Sequence, residues 1–220
     1  MLRHLTIVLL LSLTLPSFAQ YNIKRLMEEG RNSLDAGAYV ASMQIFHRIV
    51  SLKPKLYEAW YLMALAKYHL EDYKGADDAC VKALALQPYI ADIFELYGMT
   101  CIREEKFPNA IEAYTKALDI NPDNQEYWFN RAYCLYMTDN RKEAATQLAY
   151  IRKRWPMFEQ AKTLEEEVKA GRKPKTNQST AAKSNIMKLS LLNKGAWLMQ
   201  RMDKEGKPKA ENKQIKVKLY

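Results

Sequence analysis

The chain has 220 residues, 48% of them hydrophobic and 27% charged, with a net charge of +9. That length allows one or two domains with an ample core, and only seven glycines leave little room for a glycine-rich phosphate loop. The charge is uneven: residues 171–220 hold 13 Lys and Arg against 3 acids, net +10, while residues 1–170 hold 21 against 22, net −1.

Residues 1–19 read as a secretory signal peptide. Arg3 supplies the positive start, Leu5 to Leu15 is an apolar run, and Pro16 breaks it before Ser17-Phe18-Ala19. The run is too short for a bilayer, which needs about 20 residues. Cleavage after Ala19 would leave Gln20 first, and no Cys follows to carry a lipid. An uncleaved anchor is the alternative. The short leader with an early Arg suits a bacterial envelope protein, periplasmic or secreted.

From Tyr21 to Trp155 the chain repeats itself. Pro54, Pro88, Pro122 and Pro156 stand 34 residues apart. At the same step run a bulky column (Leu26, Trp60, Phe94, Trp128) and a small one (Gly30, Ala64, Gly98, Ala132). Further columns are Ser42, Ala76, Ala110, Ala144; Phe46, Cys80, Tyr114, Leu148; and Ile49, Ala83, Ala117, Ile151. Apolar residues within each block fall three and four apart, which is helical spacing. Turn signals at Ala36-Gly37-Ala38, Glu71-Asp72, Glu105-Lys106 and Asp139-Asn140 divide each block into two helices. The predicted pairs are about 22–36 with 38–52, 55–70 with 73–86, 90–104 with 107–120, and 124–138 with 141–154. The small columns belong where paired helices cross. Each proline follows a helix end and suits the first turn of the next helix, and Pro122-Asp123-Asn124 reads as a capping cluster.

These columns resemble the tetratricopeptide repeat (TPR) family. The third block carries Phe94-x2-Tyr97-Gly98, Ala110-x3-Tyr114, Ala117 and Pro122, and the second Trp60-x2-Met63-Ala64, Ala76-x3-Cys80, Ala83 and Pro88. Departures are Glu29 and Ser42 in the first block and Arg131 and Arg141 in the fourth; end blocks meet no neighbour on one side. The resemblance implies an all-α, right-handed α-solenoid of four helix pairs over residues 20–170. The repeats would be about 21–54, 55–88, 89–122 and 123–156.

A capping helix is expected at 157–170. Phe158, Ala161, Leu164 and Val168 form its apolar stripe, opposite Glu159, Lys162, Glu166 and Lys169. Gly171 ends it, and 173–180 is a polar, basic linker. The apolar segment 186–202 in the basic tail reads either as a helix or as short strands about Asn193-Lys194-Gly195, and the last seven residues alternate like a strand. The tail is expected to be weakly structured.

No catalytic constellation stands out. His4 lies in the leader, His47 and His69 stand alone, and neither HExxH nor a Gly-x-Ser-x-Gly elbow occurs. The expectation is no enzyme, no metal and no cofactor. Cys80, Cys101 and Cys134 fall in predicted helices and read as small core residues kept reduced by burial. Cys80 with Cys101 is the one pair worth testing for a disulfide.

In the family the first helix of each pair lines a concave groove. The resemblance places Met27, Arg31, Tyr61, Leu65, Tyr68, His69, Glu95, Met99, Arg103, Phe129, Tyr133 and Tyr136 on that face as the partner-binding set. Lys24, Glu58, Asp92, Ile102, Glu126 and Met137 lie among them. Aromatic and methionine surface suits protein contact; the alternative is that part of the face is inter-repeat packing. Relatives that clamp a chaperone's terminal carboxylate use Lys, Asn and Arg where this chain has Met27, Arg31, Leu62, Asp92 and Leu96, so that clamp is absent.

The expected function is a non-catalytic protein–protein interaction scaffold, exported to the envelope and holding a peptide or protein segment in the groove. In a second reading the basic tail binds an anionic membrane surface or acidic envelope polymer. In a third, segment 186–202 docks into the groove of its own or a neighbouring chain, giving self-association. Nucleic acid is not an expected partner, since export argues against it.

Overall fold

A computed structural model describes residues 23–172. The expected signal peptide, the segment 186–202 and the rest of the tail from 173 onward lie outside the described residues. Among the described residues nine helices run in order: α1 (23–35), α2 (Tyr39–Leu52), α3 (Tyr57–His69), α4 (Tyr73–Leu86), α5 (Ala91–Arg103), α6 (Phe107–Ile120), α7 (Gln125–Met137), α8 (Arg141–Arg154) and α9 (Glu159–Lys169). From α2 to α9 each packs on its neighbour in sequence, and α1 meets α2 where Gly30 faces Ser42 and Phe46. The described part is all-α, a stack of paired helices closed by a last single one.

Size matching explains why the pairs close. Ala64, Ala76, Ala83, Ala110, Ala117, Ala132 and Ala144 have no exposed surface, and neither have Ser42, Phe46, Cys80, Tyr114 and Leu148. A Cβ added at Gly98 would stand 2.8 Å from Tyr114 Cε2, and one at Gly30 would stand 2.9 Å from Phe46 Cε1. Both contacts are too short for real atoms. The first and third blocks thus pair glycine with an aromatic ring. The second and fourth pair Ala64 with Cys80 and Ala132 with Leu148. Ring volume on one helix is offset by a missing methyl on the other, which keeps the packing dense without strain. In the first block the Ser42 hydroxyl also donates to the Gly30 carbonyl at 3.0 Å.

The turn inside each pair has one geometry. Gly37, Glu71, Glu105 and Asp139, one repeat apart, all have φ between 60° and 74°. Just after each, a backbone N–H reaches back five residues: Ala38 to Ser33 (2.8 Å), Asp72 to Lys67 (3.0 Å), Lys106 to Cys101 (2.8 Å) and Asn140 to Leu135 (2.8 Å). This six-to-one bond closes a helix end around a left-handed residue, a place that favours glycine. Only the first block has glycine there.

Between pairs, the prolines follow a helix end as expected but do not enter the first turn of the next helix. Pro54, Pro88, Pro122 and Pro156 lie in the connecting turns, ahead of helices that begin at Tyr57, Ala91, Gln125 and Glu159. They end one helix rather than start the next. Their carbonyls have a use: the indoles of Trp60 and Trp128 donate to Pro54 O and Pro122 O, each at 2.8 Å. Asn124 does cap α7, its Oδ1 accepting from the N–H groups of Glu126 and Tyr127 at 3.0 and 3.2 Å.

α9 closes the stack. Ala161, Leu164 and Val168 are buried against Leu135, Tyr136, Leu148 and Ile151. Glu159, Lys162, Glu166 and Lys169 face out, giving the polar surface that a terminal helix needs. Glu165 is anchored by Lys169 Nζ at 2.7 Å and Arg152 Nη1 at 2.8 Å. The Tyr136 hydroxyl donates to the Arg172 carbonyl at 2.9 Å, tying the end of the described chain to α7.

Candidate functional site

The first helices α1, α3, α5 and α7 supply the face from which a binding surface would be built. They are less open than an exposed groove. Met27, Tyr61, Leu65, Tyr68, Glu95, Met99 and Tyr136 are buried; Arg31, His69, Arg103, Phe129 and Tyr133 are half-buried. The expectation of a broadly exposed face is corrected for the first seven. The reason is direct contact between successive first helices, α3 with α5 and α7 with α9, which turns much of the wall into packing.

What stays accessible is a rim of rings and charges. Phe129 meets Phe158 edge-on with ring centres 5.4 Å apart, and Tyr133 meets Phe107 at 6.4 Å. His69 stacks flat on Tyr39, 4.5 Å between centres and 8° between planes. Arg103 lies 4.6 Å above the Tyr73 ring and donates to its hydroxyl. Arg31 pairs with Glu58 across the first two repeats at 3.3 Å. Burial pushes the Glu58 carboxyl above its ordinary range, only partly opposed by Arg31 and the Tyr57 hydroxyl. These contacts join elements from different repeats, so the rim groups are held in place before any partner arrives.

The middle of the wall is polar and closed. Glu95, buried on α5, accepts from the Tyr127 hydroxyl, which also lies 3.5 Å from Asp92 Oδ1. Burial, and then the charges of Glu95 and Asp92, push the Tyr127 phenol far above its ordinary value. Tyr61 is raised by burial and by the same two acids. Both phenols therefore stay protonated as donors at any physiological pH. Sequence reasoning missed Tyr127, and placed Tyr114 only in a repeat column. A signal existed: Tyr127 stands in a column otherwise filled by Arg25, Ala59 and Ile93.

The thiols of Cys80, Cys101 and Cys134 are buried and free, and burial raises all three. They are poor nucleophiles, because the thiolate is the reactive form. Among the described residues no group of three or more His, Cys, Asp or Glu is placed to hold a metal, and no helix is long and apolar enough to cross a membrane.

Comparison with known proteins follows the same geometry. Family models described as Tetratricopeptide repeat and TPR repeat match residues 57–89 and 98–139. The E3 ubiquitin-protein ligase CHIP of Arabidopsis thaliana is 23% identical over 121 residues, 52% of this chain and 44% of that protein. The BBSome complex member BBS4 of Bos taurus is 24% identical over 127 residues, 58% of this chain and 24% of that protein. The chain spans less than half the length of the curated relatives it matches. Among solved structures, MamA aligns with a TM-score of 0.59 and 23% identity over 60% of this chain and 78% of that one. YrrB, described as a TPR protein with an unusual peptide-binding site, aligns at 0.62 and 20% over 77% and 82%. At these identities the likeness to solved structures is one of fold.

Proposed function

We propose that the chain, whose residues 57–89 and 98–139 match tetratricopeptide repeat models, is a non-catalytic scaffold that holds a peptide or protein segment along its first-helix wall. One observation carries this reading. Arg31, His69, Arg103, Phe129 and Tyr133, contributed by four successive first helices, form a partly exposed row of rings and cations, preset by contacts across repeats. Arginine and aromatic anchors of this kind dominate the energetics of protein recognition. The unusual peptide site described for YrrB is compatible with such a use of the fold.

The test is direct. The full chain is used to capture partners from its native source, and the captured proteins are identified by mass spectrometry. Replacing Arg103, Phe129 and Tyr133 together by Ala should abolish capture of the main partner while the domain stays helical and folded, with a melting temperature lowered by the lost ring contacts. Undiminished capture rejects the wall as the binding surface.

We further propose export to the envelope, from the leader-like sequence of residues 1–19. N-terminal sequencing of the native protein should begin at Gln20; an intact Met1 in a cytoplasmic fraction rejects it. The net charge of +10 in residues 171–220 supports a second contact, with an anionic surface. Binding to anionic vesicles should then disappear when those residues are deleted.

A further inference from the structure

Neighbouring helices joined by short turns run in opposite directions, so α2, α4, α6 and α8 all end at the edge where α3, α5, α7 and α9 begin. The ends at Leu52, Leu86 and Ile120 have one geometry: the next backbone N–H bonds back to Ile49, Ala83 and Ala117 at 2.7, 2.9 and 2.8 Å. Each end leaves its last side chain in solvent, with Leu52 56%, Leu86 38% and Ile120 41% exposed. Tyr89, in the turn after α4, is 78% exposed. A single exposed leucine needs no account, but apolar side chains at the same place in three successive repeats form a strip. At the opposite edge the matching turns carry Gly37, Glu71, Glu105 and Asp139.

Charge along the strip changes sign about its middle. Lys55, Tyr89 and Asp123 occupy one column at steps of 34 residues, and all three are exposed. Asp123 accepts from Arg154 Nη2 at 2.7 Å through Oδ1, yet its side chain stays 73% exposed. The first-turn acids Glu58, Asp92 and Glu126 are half-buried at helix N-termini, which stabilise them. The exposed order is therefore cation, ring, anion, with Leu52, Leu86 and Ile120 alongside. Such a row is complementary to its own reverse.

We propose that this edge pairs with a second copy of the chain, the two-fold axis passing through Tyr89. An interface of this kind uses one patch twice, so each contact occurs in two equivalent forms. Turning the row about Tyr89 sets Lys55 against Asp123 of the second copy, and Asp123 against Lys55 of the second copy. In the companion column Leu52 meets Ile120, and Leu86 meets Leu86. Tyr89 meets its own counterpart and places aromatic surface at the centre of the patch, where anchors count most. An axis through Lys55 or through Asp123 would instead set like charges against each other. The pairing uses none of Arg31, His69, Arg103, Phe129 and Tyr133, so it stands or falls apart from the wall.

The experiment is sedimentation velocity of the full chain over a range of concentrations at low ionic strength, where exposed charges are least screened. The parent should form a two-copy species. Lys55→Glu and Asp123→Lys should each weaken it by about tenfold or more, because each sets like charges opposite one another. An equal mixture of the two variants should recover the parent's association, since one copy then has acids at both places and the other has lysines at both. Tyr89→Ser, a change in an open turn, should also weaken pairing; should Asp123→Lys fail to fold, this variant and Lys55→Glu decide. A parent that sediments as a single copy at every concentration overturns the proposal. So does association that ignores the three substitutions, including one lost only when residues 173–220 are removed. A mixture of folded variants that stays as weak as either alone overturns it too.

Discussion

The two helices of each pair have different jobs, and the second repeat shows it most plainly. α3 buries Ala59, Tyr61 to Ala66 and Tyr68, which leaves almost no open face. α4 buries only Ala76, Ala79, Cys80 and Ala83, and turns Lys74, Asp78, Val81 and Lys82 outward. The cause is the set of neighbours. α3 packs on the helix before it, its own partner and the next first helix; α4 packs chiefly on α3 and α5. A helix apolar all round is a core helix, and one with a single stripe is a surface helix. The first helices are therefore core and binding wall at once, and a change on them acts on stability or on recognition according to which neighbour it meets.

The largest expected effect breaks the seam between the two helix types. Gly98→Ala puts a methyl against the Tyr114 ring and should destabilise by about 1–3 kcal/mol in thermal or denaturant unfolding. The double change with Tyr114→Leu reproduces the Ala132–Leu148 pairing of the fourth block and should recover much of that loss. An additive loss would show that size matching does not govern the seam.

A smaller effect sharpens the turn between the pair members. Glu71, Glu105 and Asp139 hold a left-handed backbone that opposes any side chain. Replacing each by glycine, as at Gly37, should stabilise by up to about 1 kcal/mol per site, less the entropy glycine loses on folding. No gain at any of the three would mean that their side chains offset the strain.

The smallest concerns the capping helix. Lys169 and Arg152 hold the Glu165 carboxyl below its ordinary range. A carboxyl depressed on folding adds stability above its unfolded value, near 4.5, and that stability is lost as pH falls through the lower folded value. Melting temperature should therefore drop on acidification from pH 5 to below pH 4. Glu165→Gln should flatten that drop by an amount worth less than about 1 kcal/mol, as befits partners open to water. An unchanged slope would show that the end of the stack does not depend on this ion group.

Much of the fold was readable because a close-packed seam tolerates few residue types. The 34-residue columns that begin at Ser42, Phe46 and Ile49 are zero-exposure positions, whereas the bulky column of Leu26, Trp60, Phe94 and Trp128 is only half-buried; the stripe of Ala161, Leu164 and Val168 marks the cap. The wall was less readable. Tyr61, Tyr68 and Met99 look alike on a helical wheel whether they face a partner or the next repeat, and only the contact of α3 with α5 decides between the two. Nor does spacing reveal that Tyr127 reaches back to an acid on α5.

Local chain chemistry by itself determined the pairing of helices, the place of each turn and the stop at α9, because periodicity, size and left-handed turn positions act over short stretches of chain. Tertiary structure alone decided which wall residues remain open and which acids meet which phenols. Those depend on how closely each first helix approaches the next, a separation summed over many packed side chains and written at no single position.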